Sequence, residues 1–141
     1  MKRHEGKTML VTGAAGAIGF ATCRILAQEG ARVMLVDIVE DRLQTRTAEL
    51  KQAGHDVVAF HADCADEAQV KAYAQAALDA FGHVDGFFNN AGIEGVLSPT
   101  DEYPVDEFDH VLVGAASLID RSDVQRCQIV DVLRDAEWRL G

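Results

Sequence analysis

Cysteine is scarce in this 141-residue chain. The three cysteines, Cys23, Cys64 and Cys127, are odd in number and widely spaced. A disulfide framework needs paired cysteines, and a structural zinc site needs clustered ones. Neither is predicted here, and we expect the protein to work in a reducing compartment.

Long apolar runs are also missing from the sequence. No run approaches the length that crosses a bilayer. Residues 1–6 lead into a predicted strand without the apolar core of a signal peptide. We therefore expect no membrane partner and a cytoplasmic location.

Positive charge is the third scarce property. Thirteen lysines and arginines face 23 acidic residues, which gives a formal net charge of -10. That charge repels nucleic acid and anionic lipid, and no basic patch interrupts it, so no nucleic-acid partner is predicted and small molecules are better candidate ligands. The five histidines are scattered over different predicted elements, with no pair at ligand spacing, and no metal site is predicted.

What the sequence does have is a regular alternation of strands and helices. Its hydrophobic content of 48% is enough to fill the core of one domain. The pattern predicts strands at 7–12, 32–37, 56–62 and 84–89, and helices at 17–29, 40–53 and 66–81. The three helices stop at glycines, which accept the left-handed conformation at a helix end. Right-handed crossovers then predict an α/β, Rossmann-like doubly wound parallel sheet of about four strands, with helices on both faces.

A glycine-rich turn follows the first predicted strand. Gly13 can adopt a conformation closed to residues with a Cβ, Gly16 lets the main chain approach a phosphate, and Gly19 lets the helix lie close to the sheet. The helix N-terminus beyond the turn favours anions. A tight turn before an alanine-rich helix is the alternative interpretation. Asp37, an acid at the end of the next strand that can accept hydrogen bonds from a ribose, favours a dinucleotide site instead.

Four motifs in order carry a family resemblance. They are Thr12–Gly19, Asp37, Asp63 and the Asn-Asn-Ala-Gly stretch Asn89–Gly92. Together they resemble the classical short-chain dehydrogenase/reductase family, over about residues 6–112. The chain resembles the N-terminal, NAD-binding half of that family. The family usually has its middle glycine one place later, where this chain has Ala17, and we expect at most a small shift of the pyrophosphate pocket.

The resemblance implies a set of cofactor-binding residues. The turn would hold the pyrophosphate, Asp37 the adenosine ribose, Asp63 the adenine amino group and Asn90 the cofactor ribose. Asn89 has the alternative role of tying backbone groups together at a strand end, and Cys64 that of a small buried residue without thiol chemistry. The full predicted set is Gly13, Ala15, Gly16, Ala17, Ile18, Gly19, Asp37, Asp63, Cys64, Asn90, Ala91 and Gly92.

NAD is the predicted cofactor, in preference to NADP. The carboxylate of Asp37 would lie near the 2′-phosphate of NADP, where two negative charges in a partly dry cleft repel. The glycine-rich turn has no arginine or lysine to offset that repulsion.

The family's catalytic pair is not found in this chain. Family members transfer a hydride between NAD(P) and a secondary alcohol or ketone, using a tyrosine with a lysine four residues later. Here Tyr73 is followed four residues on by Ala77, and Tyr103 by Glu107. Because a phenol near its ordinary pKa of about 10 is a poor base, no catalytic residue is predicted, and turnover by this chain alone is not expected. An alcohol or ketone substrate is expected only if a catalytic half is supplied.

The family pattern stops near residue 112. Residues 113–141 are predicted to form a divergent helical tail with Ser122 as a candidate N-cap, which would arise from truncation, a frameshift or a gene fusion. The strand at 84–89 would then be an edge, and we expect self-association or a homo-oligomer. Three functions stay open: an oxidoreductase relative without its catalytic half, a non-catalytic dinucleotide-binding or regulatory module, and a degenerate interaction fragment.

Overall fold

A computed structural model of the protein describes residues 2–115. All seven predicted strands and helices are confirmed, each with ends within two residues of the predicted ones. The elements are β1 (Thr8–Thr12), α1 (Ala17–Gln28), β2 (Arg32–Asp37), α2 (Glu40–Gln52), β3 (Val57–His61), α3 (Glu67–Phe81), β4 (Gly86–Phe88), a short 3-10 turn (Thr100–Glu102) and α4 (Val105–Ala115).

The four strands form one parallel sheet in the order β3-β2-β1-β4. The register sets Leu10 of β1 opposite Met34 of β2 and Phe87 of β4. From β1 the chain winds outward through β2 and β3, then returns to place β4 on the other side of β1. Ligands of open α/β sheets bind where the winding direction changes in this way, beyond the carboxyl ends of the strands.

Helices cover both faces of the sheet. Alternate strand residues point to opposite faces, so each face has its own apolar cluster. The cluster under α1 and α2 includes Val11, Phe20, Cys23, Val33, Leu35, Leu43 and Leu50. The cluster under α3 includes Leu10, Met34, Val36, Val70, Tyr73, Ala77 and Phe81. The predicted doubly wound α/β architecture is therefore confirmed.

The predicted glycine stops are also present at the helix ends. Gly30, Gly54 and Gly82 follow α1, α2 and α3 with φ angles of 94°, 84° and 80°. Residues with a Cβ rarely adopt this left-handed conformation, which explains why glycine recurs at these three places.

β4 is the edge of the sheet within residues 2–115, where it pairs with β1 alone. Phe87 packs partly against the α3 cluster, whereas Phe88 is 38% exposed. The predicted domain boundary at residue 112 falls inside α4, and the predicted tail helix with its Ser122 cap lies outside the described residues. No helix within residues 2–115 is both long enough and apolar enough to cross a bilayer.

Candidate functional site

A cavity of about 620 Å³ lies beyond the carboxyl ends of all four strands. This volume is typical of sites that take small molecules and cofactors. Its walls are formed by Gly13, Gly16, Ala17, Ile18, Gly19, Asp37, Ile38, Val39, Arg42, Ala62, Asp63, Cys64, Ala65, Asn90, Ala91, Gly92, Ile93, Glu94 and His110.

The N-terminus of α1 opens onto this cavity. Gly16 is the N-cap, and it makes no side-chain hydrogen bond to the helix. The first turn of α1 also contains no acidic residue, whereas α2, α3 and α4 each have at least one. Among α1 to α4, α1 is thus the one whose first turn contains no acid, and the free N–H groups at its positive dipole end can take an anion.

Close packing requires the first and last glycines of the turn. Gly13 has a φ of 62°, and a Cβ there would lie 3.0 Å from the Cα of Ala91. A Cβ on Gly19 would overlap the carbonyl oxygen of Gly13 and lie 2.9 Å from the Cα of Ala14. Glycine at both positions therefore lets α1 begin directly against the turn, which brings its N-terminus to the cavity.

The carboxylate of Asp37 joins the turn to the start of α2. One oxygen, Oδ2, accepts from the backbone N–H of Ala15 at 2.9 Å, and Oδ1 accepts from that of Val39 at 2.9 Å. Asp37 is only 8% exposed, so these two bonds hold the side chain in one orientation. An ionised carboxylate has about four acceptor positions, which leaves capacity for two ribose hydroxyls.

A buried threonine ties the end of β1 to the end of β4. The hydroxyl of Thr12 donates to Asn89 Oδ1 at 3.2 Å and accepts from the N–H groups of Asn90 and Ala91, both at 3.1 Å. The side-chain amide of Asn90 donates to the Thr12 carbonyl at 3.2 Å and to that of Gly13 at 3.4 Å. The Asn89 contact joins two side chains at the strand ends, whereas the alternative role predicted from the sequence was to tie backbone groups together.

Asp63 and Cys64 lie on the cavity wall beyond β3. Oδ1 of Asp63 accepts from the backbone N–H of Ala65 at 2.8 Å. Burial, followed by the charges of Asp63 and Asp37, raises the pKa of the Cys64 thiol to about 11. The thiol therefore stays protonated at neutral pH and is a weak nucleophile, as the small buried residue of the sequence-based alternative would be.

Apolar side chains on the cavity wall are open to solvent. Ile18, Ile38 and Val39 are 69%, 57% and 42% exposed. Three such side chains around one cavity form an apolar surface that a planar or sugar-like ligand group can cover.

The structure brings the predicted residues together, since eleven of the twelve line the cavity. Ala15 is the exception: it is buried, and its N–H supports Asp37 from behind. Arg42, Glu94 and His110 also line the cavity and are not among the predicted site residues. For Arg42 a signal existed, because it lies in the first turn of the helix that begins after Asp37.

Neither Tyr73 nor Tyr103 is among the residues that line the cavity. Tyr73 is fully buried in the cluster under α3, away from the cavity wall. Tyr103 is half-buried, and its hydroxyl lies over Gly95. Within residues 2–115 no three His, Cys, Asp or Glu side chains form a group that could hold a metal ion.

Comparison with known proteins agrees with this geometry. The family model described as "short chain dehydrogenase" matches residues 7–115. Levodione reductase from Leifsonia aquatica is 43% identical over 112 residues, which are 78% of this chain and 42% of that protein. The uncharacterized oxidoreductase YxbG from Bacillus subtilis is also 43% identical over 112 residues, 79% of this chain and 41% of the relative.

Solved structures match the fold over a similar length. NAD+-bound xylitol dehydrogenase superposes with a TM-score of 0.83 at 34% identity, covering 92% of this chain and 51% of that one. The crystal structure of levodione reductase gives a TM-score of 0.81 at 36% identity, over 94% and 51% of the two chains.

An α/β fold with a glycine-rich turn and an acid at the neighbouring strand end defines the class of Rossmann-like proteins. Within that class, the chain belongs to the short-chain dehydrogenase family of oxidoreductases. It spans about two fifths of the length of the curated relatives it matches.

Proposed function

We propose that this chain is a short-chain dehydrogenase/reductase-like portion that binds NAD(H) and does not transfer hydride by itself. The observation that carries the proposal is the cavity that combines the uncapped N-terminus of α1 with the fixed carboxylate of Asp37. A dinucleotide presents a diphosphate and a ribose diol, which are the anion and the donor pair that these two groups suit.

The residues present fit NAD in three respects. The first-turn N–H groups of α1 would take the pyrophosphate, and the free acceptor positions of Asp37 would take the adenosine hydroxyls. Ile18 and Ile38 would be covered by the ligand, which removes exposed apolar surface from water. Asp63 and Asn90 remain our candidates for the adenine amino group and the second ribose, respectively.

NAD is proposed over NADP because of Asp37. A 2′-phosphate would meet a carboxylate that is 8% exposed and cannot turn away without losing two backbone hydrogen bonds. Repulsion between like charges is stronger in a cavity from which water is partly excluded than in bulk water.

The bound dinucleotide supplies a hydride acceptor or donor, and the residues of this chain bind and orient it. The Thr12 hydroxyl and the Asn90 amide hold the turn against β4, so that the α1 N-terminus and the ends of β1 and β4 keep one geometry. Proton transfer needs a positioned base. This chain has no tyrosine followed four residues later by a lysine, and we propose that a secondary alcohol or ketone reacts only when another polypeptide segment supplies that pair.

A non-catalytic dinucleotide-binding or regulatory module is the second candidate function. The same missing pair favours it, because dinucleotide binding needs only the groups already on the cavity wall. A dehydrogenase assay with a series of secondary alcohols tests whether the chain alone is an active enzyme, which neither candidate function predicts. We expect no turnover by the chain alone, and measurable turnover would contradict both.

Calorimetric titration of the whole chain with NADH tests the binding proposal. We expect saturable binding, with thermal stabilisation of about 2.7 kcal/mol at a ligand concentration 100 times the Kd. Asp37→Asn should weaken NADH binding about tenfold or more, because an amide cannot accept with both of its side-chain atoms. No saturable binding at NADH concentrations of about 1 mM would contradict the proposal.

Three predictions from the sequence accompany this proposal. Residues 1–112 would form the dinucleotide-binding portion and 113–141 a separate helical tail. The exposed edge at β4 would lead to self-association, which sedimentation of the purified chain would detect as species larger than a monomer. The cytoplasmic location expected from the sequence also stays a prediction.

A further inference from the structure

The pairing of β2 with β3 ends where the cavity begins. Asp37 lies opposite His61 in the register of the two strands, and the carbonyl oxygen of Asp37 accepts from the N–H of Ala62 at 3.1 Å. Beyond that bond the chain leaves β2, and Ile38 and Val39 form part of the cavity wall. The backbone of this stretch of wall lies past the end of the strand, so it depends on other partners for a fixed position.

The side chain of His61 supplies one of these partners. Its Nε2 lies 2.9 Å from the carbonyl oxygen of Ile38. Because a carbonyl oxygen can only accept, Nε2 is the donor, which selects the Nε2–H form of the neutral ring and is equally possible for the charged ring. The bond extends the contact between the two strands by one residue past the bond from Ala62.

The hydrogen bonds then continue into α2. The N–H of Val39 donates to Oδ1 of Asp37 at 2.9 Å, and the carbonyl oxygen of Val39 accepts from the N–H of Leu43 at 3.0 Å. Between the end of β2 and the first bond of the helix, the Ile38 carbonyl is held from β3 by His61. The segment 37–39 brings to the cavity the Asp37 carboxylate and the Ile38 side chain, and binding groups have to be held within about 0.5 Å of their productive geometry.

His61 itself lies outside the cavity. Its side chain is exposed, and it is not among the described residues that line the cavity. Its effect on a ligand would therefore pass through the segment 37–39, which it holds from the neighbouring strand.

Resting on the proposed function, we propose that His61 is a positioning residue for the adenosine end of the cavity. Its Nε2–H group holds the Ile38 carbonyl, so that the Asp37 carboxylate and the Ile38 side chain stay where the adenosine of a dinucleotide would contact them. The contribution of His61 is a hydrogen-bond donor at a fixed reach, and a positive charge on the ring is not required for it.

Calorimetric titration with NADH, and displacement of NADH by adenosine 5′-monophosphate, test the proposal. His61→Leu removes the donor, His61→Gln keeps an amide N–H at a similar reach, and His61→Asn keeps the amide on a shorter side chain. The matched control is His55→Leu, because His55 precedes β3 at the end of the strand opposite to the cavity.

We expect His61→Leu to raise the Kd for NADH and for adenosine 5′-monophosphate by the same factor, about threefold to tenfold. The factors should agree because the smaller probe contains the adenosine portion that NADH shares. His61→Asn should behave like His61→Leu. His61→Gln should restore both constants to within about twofold of the unmodified chain, and His55→Leu should leave both unchanged.

Titrations well below the melting temperature of each variant compare folded proteins only. Unchanged constants in both His61→Leu and His61→Asn would overturn the inference. Failure of His61→Gln to restore affinity would overturn it too, since the donor would then not be the cause. So would a loss of NADH affinity with an unchanged affinity for adenosine 5′-monophosphate, which would place the effect away from the adenosine end. In each of these cases NADH binding to the unmodified chain still supports the proposed function, which fails separately if NADH does not bind.

Discussion

Helices α1 and α3 both begin shortly after a strand of the same parallel sheet, and both point their N-termini toward its carboxyl edge. Their first turns are satisfied in different ways. At α3, the side chain of Asp66 accepts from the backbone N–H of Gln69 at 3.1 Å, and Glu67 adds a second acid. At α1, Gly16 makes no side-chain cap, and no acid follows.

The difference separates a helix start used for stability from one kept open for a ligand. A capping carboxylate satisfies one of the free N–H groups and offsets the positive end of the dipole. The first turn of α1 has neither a capping side chain nor an acid of its own. A bound diphosphate would supply both, so ligand binding and folding should be linked at α1 and independent at α3.

The largest expected effect comes from Gly19→Ala, which prevents α1 from beginning directly against the glycine-rich turn. The new Cβ would overlap the Gly13 carbonyl oxygen, so α1 would have to move away from the turn. We expect a loss of about 1–3 kcal/mol of stability and more than a tenfold loss of NADH affinity. Thermal unfolding and calorimetric titration measure the two effects.

Gly54→Ala is the matched control for that change. Gly54 has a φ of 84° and open space where the methyl group of an alanine would lie, and it follows the far end of α2. The control should lose about 1 kcal/mol of stability from backbone strain alone and keep its NADH affinity. An unaltered affinity in Gly19→Ala would contradict the role given to the close approach of α1.

The second prediction gives α1 the acid that α3 already has. Ile18 lies in the first turn of α1 and is 69% exposed, so Ile18→Glu is accommodated without repacking. We expect the unliganded chain to keep or gain up to about 0.5 kcal/mol of stability from the helix dipole. NADH affinity should fall about tenfold, because the new carboxylate competes with the diphosphate.

Ile18→Gln serves as the neutral control for Ile18→Glu, with a side chain of the same length. It should lose only the affinity that comes from the apolar contact, and raising the salt concentration should narrow the gap between the two variants. Equal affinities of the two variants at low salt would show that no anion is bound at this helix end.

The smallest effect is expected from removing the cap of α3. Asp66→Ala should lower the melting temperature by a few degrees and leave NADH affinity unchanged, because this helix start does not line the cavity. Asp66→Asn keeps a capping oxygen, so its melting temperature should lie between those of Asp66→Ala and the unmodified chain. A change in NADH affinity in Asp66→Ala would show that the two helix starts are coupled.

The pH dependence of this cap has a defined sign. The hydrogen bond from the Gln69 backbone N–H, followed by that from its side chain, holds the pKa of Asp66 below its ordinary value. The carboxylate therefore contributes stability that is present above about pH 4 and is lost as the pH falls through the lower folded value. Thermal unfolding below pH 4 should show a smaller loss for Asp66→Asn than for the unmodified chain.

The strands and helices of this fold were predictable from local sequence patterns, because each boundary depends on a few neighbouring residues. The glycines at 30, 54 and 82 follow helix ends because they adopt a positive φ angle there. The continuous apolar run of β2 predicts a strand covered on both faces. Asp37 and the glycine-rich turn were predictable for the same reason, since strand ends and turns mark them.

The other contacts of the site depend on which distant residues meet. Asn90 is predicted to contact the cofactor ribose, and the structure shows in addition that its side-chain amide donates to the Thr12 and Gly13 carbonyls across the sheet. Ala15 is among the predicted cofactor-binding residues, and the structure shows it buried, with its backbone N–H donating to Asp37. These hydrogen bonds could not be predicted from spacing along the chain, because the donor and acceptor of each lie on different segments of the fold.

By itself, the sequence determined the alternation of strands and helices, the conformation of the glycine turn and the acid at the end of β2, because these depend on residues adjacent in the chain. The tertiary structure decided which helix start opens onto the cavity, which hydrogen bonds the oxygens of Asp37 already accept, and that Arg42 lines the cavity while Arg46 stacks on Phe20. The reason is that burial and hydrogen-bond partners are set by the order in which strands assemble side by side, a property of the sheet that no single segment contains.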